Sequence, residues 1–119
     1  MKKINKNLEI KHRVYSRNAI DKWHWAKKQK LKREYQFMIR SEMNDKQIKG
    51  TCEKCSIKIT CGVKRFMDID NLIAGLKQFI DALALERYIH DDSPKWLELE
   101  VKQEKSKEYN ILVERKVLQ

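Results

Sequence analysis

Few residues in this sequence interrupt or crosslink the chain. Its 119 residues include one proline and three glycines, so no flexible linker is evident and one domain is expected. No run of eighteen apolar residues occurs, so no membrane partner is expected. The basic first residues are not followed by the apolar core of a signal peptide, and this predicts a cytoplasmic protein.

The cysteines are too few for a disulfide framework. There are three, and an odd number in a cytoplasmic chain argues against paired bridges. Cys52 and Cys55 form one CxxC, but a zinc site needs four ligands; Cys61 and His90 would complete it only if the fold happened to bring them near. Because Cys55 and Cys61 share the apolar phase of a predicted strand, we expect core cysteines. A zinc-stabilised interaction protein is the alternative.

Several common catalytic motifs are also absent. The sequence has no GxxxxGK, the loop that cradles nucleotide phosphates, so no nucleotide cofactor is expected. It has no GxSxG and no HExxH, the usual signatures of serine hydrolases and zinc peptidases.

Positive charge is abundant but unevenly distributed. The net charge is +10, and residues 1–50 hold 15 Lys/Arg against 5 Asp/Glu, whereas residues 51–119 hold 12 of each. The whole excess therefore lies in residues 1–50, which we call the basic segment. This asymmetry predicts that the basic segment grips a polyanion while 51–119 carries out a separate task, although a plain solvated basic surface would show the same charges.

Hydrophobic periodicity predicts a single α+β domain. Alternation indicates strands and 3.6-residue periodicity indicates helices. The predicted order is β-α-β-α-β-β, over residues 7–15, 19–44, 54–63, 71–85, 96–103 and 108–116. We expect a four-stranded mixed or mainly antiparallel sheet with two helices on one face, and the short link at 104–107 favours a hairpin between the last two strands.

Each predicted helix has an apolar stripe. The stripe of the first helix comprises Ile20, Trp23, Leu31, Tyr35 and Met38. The stripe of the second comprises Leu72, Ile73, Leu76, Phe79, Ile80 and Leu83. Asp70 or Asn71 is the expected N-cap of the second helix, and the sequence offers no reason for Gly75 inside it.

The segment 64–71 carries the main chemical signal. If the strand before it continues as extended chain, Asp68 and Asp70 point to the same side. Paired carboxylates suit a hard cation such as Mg²⁺. Lys64 and Arg65 would bind phosphate beside them.

A third carboxylate is expected from the turn that follows the second helix. That helix runs back from Asp70, so Asp92 would approach the first two aspartates. Phosphodiester hydrolysis uses such a cluster, since a metal activates water and stabilises the leaving oxygen. Lys77 and Asp81 fall on the helix face opposite the apolar stripe.

Both acidic motifs also have a structural interpretation. DxDN is a common helix start, and Asp-Asp-Ser-Pro is an ordinary turn. On that interpretation the protein is a non-catalytic DNA- or RNA-binding module. Clustered oxygens of Asp68, Asp70 and Asp92 would favour the enzyme, and scattered ones the module.

The stretch RFMDIDNLIAGLKQFIDALALERYIHDDSPKWLELEVKQEK resembles the core of the RusA family of Holliday junction resolvases. Asp68 and Asp70 match the family's DxDN, and Asp92 matches the catalytic second member of its DD pair. Asp81 matches the aspartate of D-A-L, and Lys102 the lysine ten residues beyond Asp92. The resemblance covers roughly residues 64–105.

One family residue has no direct counterpart. The helix lysine four residues after the second aspartate is replaced by Ala74, and Lys77 stands one turn later. Lys77 or Lys102 would then bind the scissile phosphate or stabilise the transition state.

The resemblance implies an activity and an assembly. A homodimer would resolve four-way DNA junctions by paired symmetric nicks, with Mg²⁺ or Mn²⁺ held by Asp68, Asp70 and Asp92. The basic first helix would grip flanking DNA, the best candidates being Lys22, Lys28, Lys32 and Arg33. Such proteins are common in phages and prophages.

Overall fold

The computed structural model describes residues 7–118. Within these residues there are four strands and four helices. They are β1 (Leu8–Ile10), α1 (Arg17–Asp21), α2 (Trp25–Asp45), β2 (Cys55–Val63), α3 (Ile69–Gly75), α4 (Lys77–Leu85), β3 (Leu97–Lys105) and β4 (Asn110–Val117). The predicted α+β class and four-stranded mixed sheet are confirmed.

The sheet has the order β1-β4-β2-β3. β2 pairs with β3 in parallel, from Cys55 opposite Leu97, and with β4 in antiparallel fashion. β1 pairs antiparallel with β4. The predicted β3–β4 hairpin is wrong, because the most apolar strand, β2, lies between them. The link passes across the end of β2, where the Ser106 amide donates to the Val63 carbonyl at 2.9 Å.

The long first helix is broken at residues 22–24. His24 has extended backbone angles and caps α2, since its Nδ1 accepts from the Ala26 amide at 3.1 Å. Beyond the break, α2 buries Leu31, Tyr35, Ile39 and Met43, which are spaced four apart. The apolar stripe therefore continues past the predicted Met38, which is only partly buried.

The second helix is divided in two at Leu76. That residue and Leu72, Phe79 and Leu83 are fully buried, as predicted, whereas Ile73 is 41 % exposed. The helix begins at Ile69 after Asp68, so the expected caps Asp70 and Asn71 are wrong and lie inside the first turn.

The core lies between the helices and one face of the sheet. The inward phase of β2, from Cys55 to Val63, has no exposed surface, and Ile111 and Val113 of β4 lie beside it. α2 packs on β1 and α4, so the basic segment and the remainder of the chain share one core. None of the described helices is long and apolar enough to cross a membrane.

One ion pair fastens the two main helices together. Arg40 of α2 donates to both oxygens of Glu86 at 2.8 and 3.0 Å, and Gln36 also donates to Glu86. These bonds hold the pKa of Glu86 below its usual value. The end of α4 is thereby fixed before the chain turns toward Asp92.

Gly75 allows helix α3 to lie very close to the chain between β1 and α1. An added Cβ would lie 1.9 Å from the carbonyl oxygen of Tyr15, which is fixed backbone. α3 therefore packs against the chain that enters α1 at a distance that only glycine permits.

We predict that Gly75→Ala destabilises the protein by about 3 kcal/mol, because the helix must move away from Tyr15. In an uncrowded helix the same change would instead stabilise by about 1 kcal/mol. Urea denaturation measures the difference. Ala74→Gly, the neighbouring control, should cost about 1 kcal/mol; a stabilised Gly75→Ala protein would contradict the crowding argument.

Candidate functional site

A cleft of about 770 Å³ lies between helices α3 and α4, the α1–α2 region of the basic segment, and edge strand β3. Its apolar wall includes Ile73, Ile80, Leu97 and Leu99. Leu99 is 40 % exposed because β3 is an edge strand and the cleft opens beneath it.

Charged groups from three regions of the chain line this cleft. Lys77 and Asp81 of α4 lie four residues apart on one helix face, and Asp92 comes from the turn after α4. The basic segment contributes Arg17, Asp21 and Lys28. Arg17 is ion-paired to Asp21 at 3.3 Å, while Lys28 has no carboxylate within 4.0 Å among residues 7–118. The cleft therefore has mixed charge. Lys28 and Lys77, which have no ion-pair partner among the described residues, lie beside the carboxylates of Asp81 and Asp92.

The two residues of the Asp-Asp turn have different roles. Asp91 holds the turn, since its carboxylate accepts from the Asp92 amide at 2.8 Å and from the Ser93 hydroxyl at 3.2 Å. The Asp92 amide and other donors hold the pKa of Asp91 low. The Asp92 side chain is left to line the cleft.

Asp92 is in an environment that disfavours its negative charge. Partial desolvation raises its pKa, and the nearby carboxylates of Asp91 and Asp81 raise it further. A cation between these groups would reverse that effect, because it stabilises the ionised forms.

Asp68 and Asp70 lie outside the cleft lining. The extended chain does not continue to them: β2 ends at Val63 and α3 begins at Ile69, so Asp70 is helical. The argument that the pair shares one side of an extended chain is therefore wrong. Both side chains are exposed, and neither carboxylate has a hydrogen bond or ion pair within residues 7–118.

The three predicted metal ligands do not form one group. Among residues 7–118, no three His, Cys, Asp or Glu side chains lie close enough to hold a metal ion. Asp70 is nevertheless one turn before Ala74, about 6 Å along the axis of α3, and Ala74 lines the cleft. Asp70 is thus on the helix face that leads into the cleft.

The predicted DNA-contacting residues are divided among several surfaces. Lys28 lines the cleft, and Lys32 follows it by one helical turn. Lys22 lies at the end of α1, and Arg33 lines a separate groove with His12 and Phe37.

The remaining basic candidates lie in a strand of the sheet or directly after one. Lys64 and Arg65 are exposed directly after β2. Lys102 of β3 is opposite Thr60, in the phase that faces away from the helices, and lies 3.6 Å from Glu104. Of the two lysines considered for the scissile phosphate, Lys77 therefore shares the cleft with Asp92 and Lys102 does not.

Gln103 holds the chain before Asp68 through a contact that the sequence did not reveal. Its Oε1 accepts from the Met67 amide at 3.1 Å, and its Nε2 donates to the Met67 carbonyl at 2.7 Å. This bidentate contact fixes the backbone immediately before Asp68. No sequence pattern signals it, because Gln103 lies 36 residues from Met67 and resembles any polar residue of an edge strand.

The cysteines belong to the core rather than to this site. Cys55 and Cys61 are fully buried, and Cys52 is exposed. Burial raises the pKa of Cys61 to about 12 and also raises that of Cys55, so both thiols stay protonated. The expectation of core cysteines is confirmed for these two.

No protein-family model matches the chain, and no curated protein matches it either.

We predict that Gln103→Leu lowers the free energy of unfolding by about 2 kcal/mol, because two backbone hydrogen bonds of Met67 are lost. Gln103→Glu keeps the acceptor but not the donor, so its loss should be smaller. Urea denaturation gives the energies, and faster hydrogen exchange at the Met67 amide locates the effect. Glu104→Leu, an exposed neighbour, is the control. Equal stability of Gln103→Leu and this control would show that the contact does not stabilise the Met67 backbone.

Proposed function

We propose that this protein is a metal-dependent, structure-selective endodeoxyribonuclease of the RusA type that resolves four-way DNA junctions. The observation that carries the proposal is the meeting of Lys77, Asp81 and Asp92 in one cleft with Lys28 from the basic segment. Phosphodiester cleavage needs cations for the phosphate and carboxylates for a metal, and this cleft offers both.

The donor chemistry of the aspartates fits Mg²⁺ or Mn²⁺. Asp68, Asp70 and Asp92 offer only carboxylate oxygens, and those of Asp68 and Asp70 have no competing partner within residues 7–118. Because the three do not form one group, the proposal requires that the ion and the phosphate draw them together. A bound ion would supply an activated water and neutralise the developing charge on the phosphate.

The chain's own residues would bind and orient the substrate. Lys77 would donate to a non-bridging oxygen of the scissile phosphate, and Lys28 to the phosphate beside it. Gln103 would keep Asp68 in place through Met67. Asp81, four residues after Lys77, would orient that ammonium group.

The assembly and location belong to the same proposal. A homodimer would place two identical sites on a roughly two-fold junction and nick two strands symmetrically. The setting would be the cytoplasm of a bacterial or phage-infected cell.

A non-catalytic nucleic-acid-binding module is the second candidate. The observation that favours it is the lack of a three-ligand group among residues 7–118. A helix-cap role does not favour it, because the Asp68 side chain makes no capping hydrogen bond.

We predict that the protein cleaves a synthetic four-way junction in the presence of Mg²⁺ and that Asp70→Asn abolishes cleavage. The amide keeps the shape of the carboxylate but removes the charge that a metal ligand needs. Gel analysis of all four labelled strands measures the nicks, and a dimer should cut two strands at symmetric positions.

Asp45→Asn is the matched control, since Asp45 is an exposed aspartate at the end of α2. It should cleave at the wild-type rate. Asp70→Asn should still bind the junction in a gel-shift assay. Binding without cleavage by the wild-type protein would instead support the module.

We predict that junction binding weakens steeply with salt, because each lysine or arginine on a phosphate releases counterions. The log–log slope should be about −0.9 per contact on duplex DNA. Lys28→Gln/Lys32→Gln should flatten the slope by about 1.8, which a titration by fluorescence anisotropy resolves. An unchanged slope would mean that this face of α2 does not contact DNA.

A further inference from the structure

A continuous row of cations and aromatic rings crosses the protein outside the cleft. We call it the cation–aromatic row, and its members in spatial order are Lys27, Trp23, Tyr15, Arg13, Tyr109 and Lys64. Lys27 lies 4.2 Å from the ring centre of Trp23, whose ring is 4.7 Å from that of Tyr15. Arg13 lies 4.9 Å from Tyr15 and 4.8 Å from Tyr109, and Lys64 lies 5.3 Å from Tyr109.

The row joins stretches of the chain that are distant in sequence. Trp23 belongs to the break between α1 and α2, and Arg13 and Tyr15 to the connection after β1. Tyr109 precedes β4, and Lys64 follows β2 at the same end of the sheet. The buried Tyr35 hydroxyl holds this arrangement by donating to the Arg13 carbonyl at 2.9 Å.

In the described part of the chain, the cations of the row have no anionic partner. Arg13, Lys27 and Lys64 are exposed, and within residues 7–118 no carboxylate lies within 4.0 Å of any of them. The three rings are only half-buried. A hollow of about 290 Å³ adjoins Tyr15, Trp23 and Lys27; its carboxylate, Glu34, is paired with His12 at 3.1 Å.

We propose that the cation–aromatic row binds an unpaired DNA strand. Unpaired bases stack on aromatic rings and guanidinium planes, while lysines and arginines between the rings contact the phosphates. A duplex cannot use such rings, because its bases are stacked inside the helix. The choice of DNA rests on the proposed nuclease function; the strand would be the unstacked one near a branch point.

The placement of the row ties it to the candidate site. Lys64 lies four residues before Asp68, and the chain between them is fixed by Gln103 through Met67. A strand lying on Lys64 would therefore lead toward the N-terminal end of α3, where Asp68 and Asp70 are exposed.

The test is the binding of a fluorescein-labelled oligothymidine, followed by fluorescence anisotropy without divalent metal so that no cleavage occurs. Tyr109→Leu should weaken binding about tenfold, since it removes a stacking ring, whereas Tyr109→Phe should bind like the wild type. Equal affinity of the Leu and Phe variants would overturn the proposal.

A pair of double variants tests the cations. Arg13→Gln/Lys64→Gln should flatten the salt dependence for the single strand by about 1.4 log units per log unit of salt. Lys49→Gln/Lys116→Gln removes the same charge near the other end of the sheet, where Lys116 is opposite Ser56 and the Lys49 carbonyl accepts from Arg115. This control pair should leave the salt dependence unchanged and the affinity for the strand within about twofold of wild type. If the two double variants lose the same amount of salt dependence and affinity, binding depends only on net charge and the proposed row is refuted.

Wild-type protein provides a measurement that does not depend on the folding of variants. A bromouracil oligonucleotide should photocrosslink to the peptides that contain Tyr15, Trp23 or Tyr109; crosslinks found only elsewhere would exclude the row. Oligouridine of equal length is the RNA arm, and binding of it about tenfold tighter would overturn the assignment to DNA.

The two proposals fail in different ways. If Mg²⁺-dependent junction cleavage is absent but Tyr109→Leu still loses strand binding, the nuclease proposal fails and the row stands. If cleavage is present and Tyr109→Leu binds oligothymidine like Tyr109→Phe, the row fails and the nuclease stands.

Discussion

Strand β2 is the constraint on which the rest of the structure depends. Its inward residues from Cys55 to Val63 are fully buried, and it hydrogen-bonds to β3 on one side and β4 on the other. A parallel partner requires a crossover, which α3 and α4 supply. Because that crossover leaves one end of β2 and returns to β3 at the other, it passes over the core and its outer face forms one wall of the cleft. The positions of Lys77 and Asp81 thus follow from the place of β2 in the sheet.

Local patterns predicted the elements but not their pairing. The alternation of residues 54–63 located β2 to within one residue, because a central strand with one face on the core must alternate. Leu72, Leu76, Phe79 and Leu83 were likewise identified from helical spacing. The β3–β4 hairpin was wrong because a short link indicates only that two strands are near, and here β2 lies between them. Hydrophobic periodicity did not indicate the break at His24, whose side chain caps α2, or the division of the second helix at Leu76.

The candidate site was predictable where it lies on one helix and not where it depends on distant contacts. Helical spacing placed Lys77 and Asp81 on one face. The return of the helix was expected to bring Asp92 to Asp68 and Asp70, but Asp92 lines the cleft with Lys77 and Asp81 instead. The geometry assumed for Asp68 and Asp70 failed because the chain enters a helix at Ile69. The contact of Gln103 with Met67 could not be predicted, because the two residues are 36 apart in sequence. The metal and DNA roles of these residues stay predictions.

Tyr15 joins the two proposed surfaces mechanically. Its carbonyl oxygen lies where only a glycine of α3 can approach it, and its ring stands between Trp23 and Arg13 in the cation–aromatic row. A displacement of this residue would therefore shift both the helix that carries Asp70 and the surface proposed to hold an unpaired strand. Packed contacts of this kind transmit displacement because protein interiors are dense and compress little. A strand bound on the row would accordingly be held in one fixed relation to Asp70, as the proposed structure-selective nuclease would require.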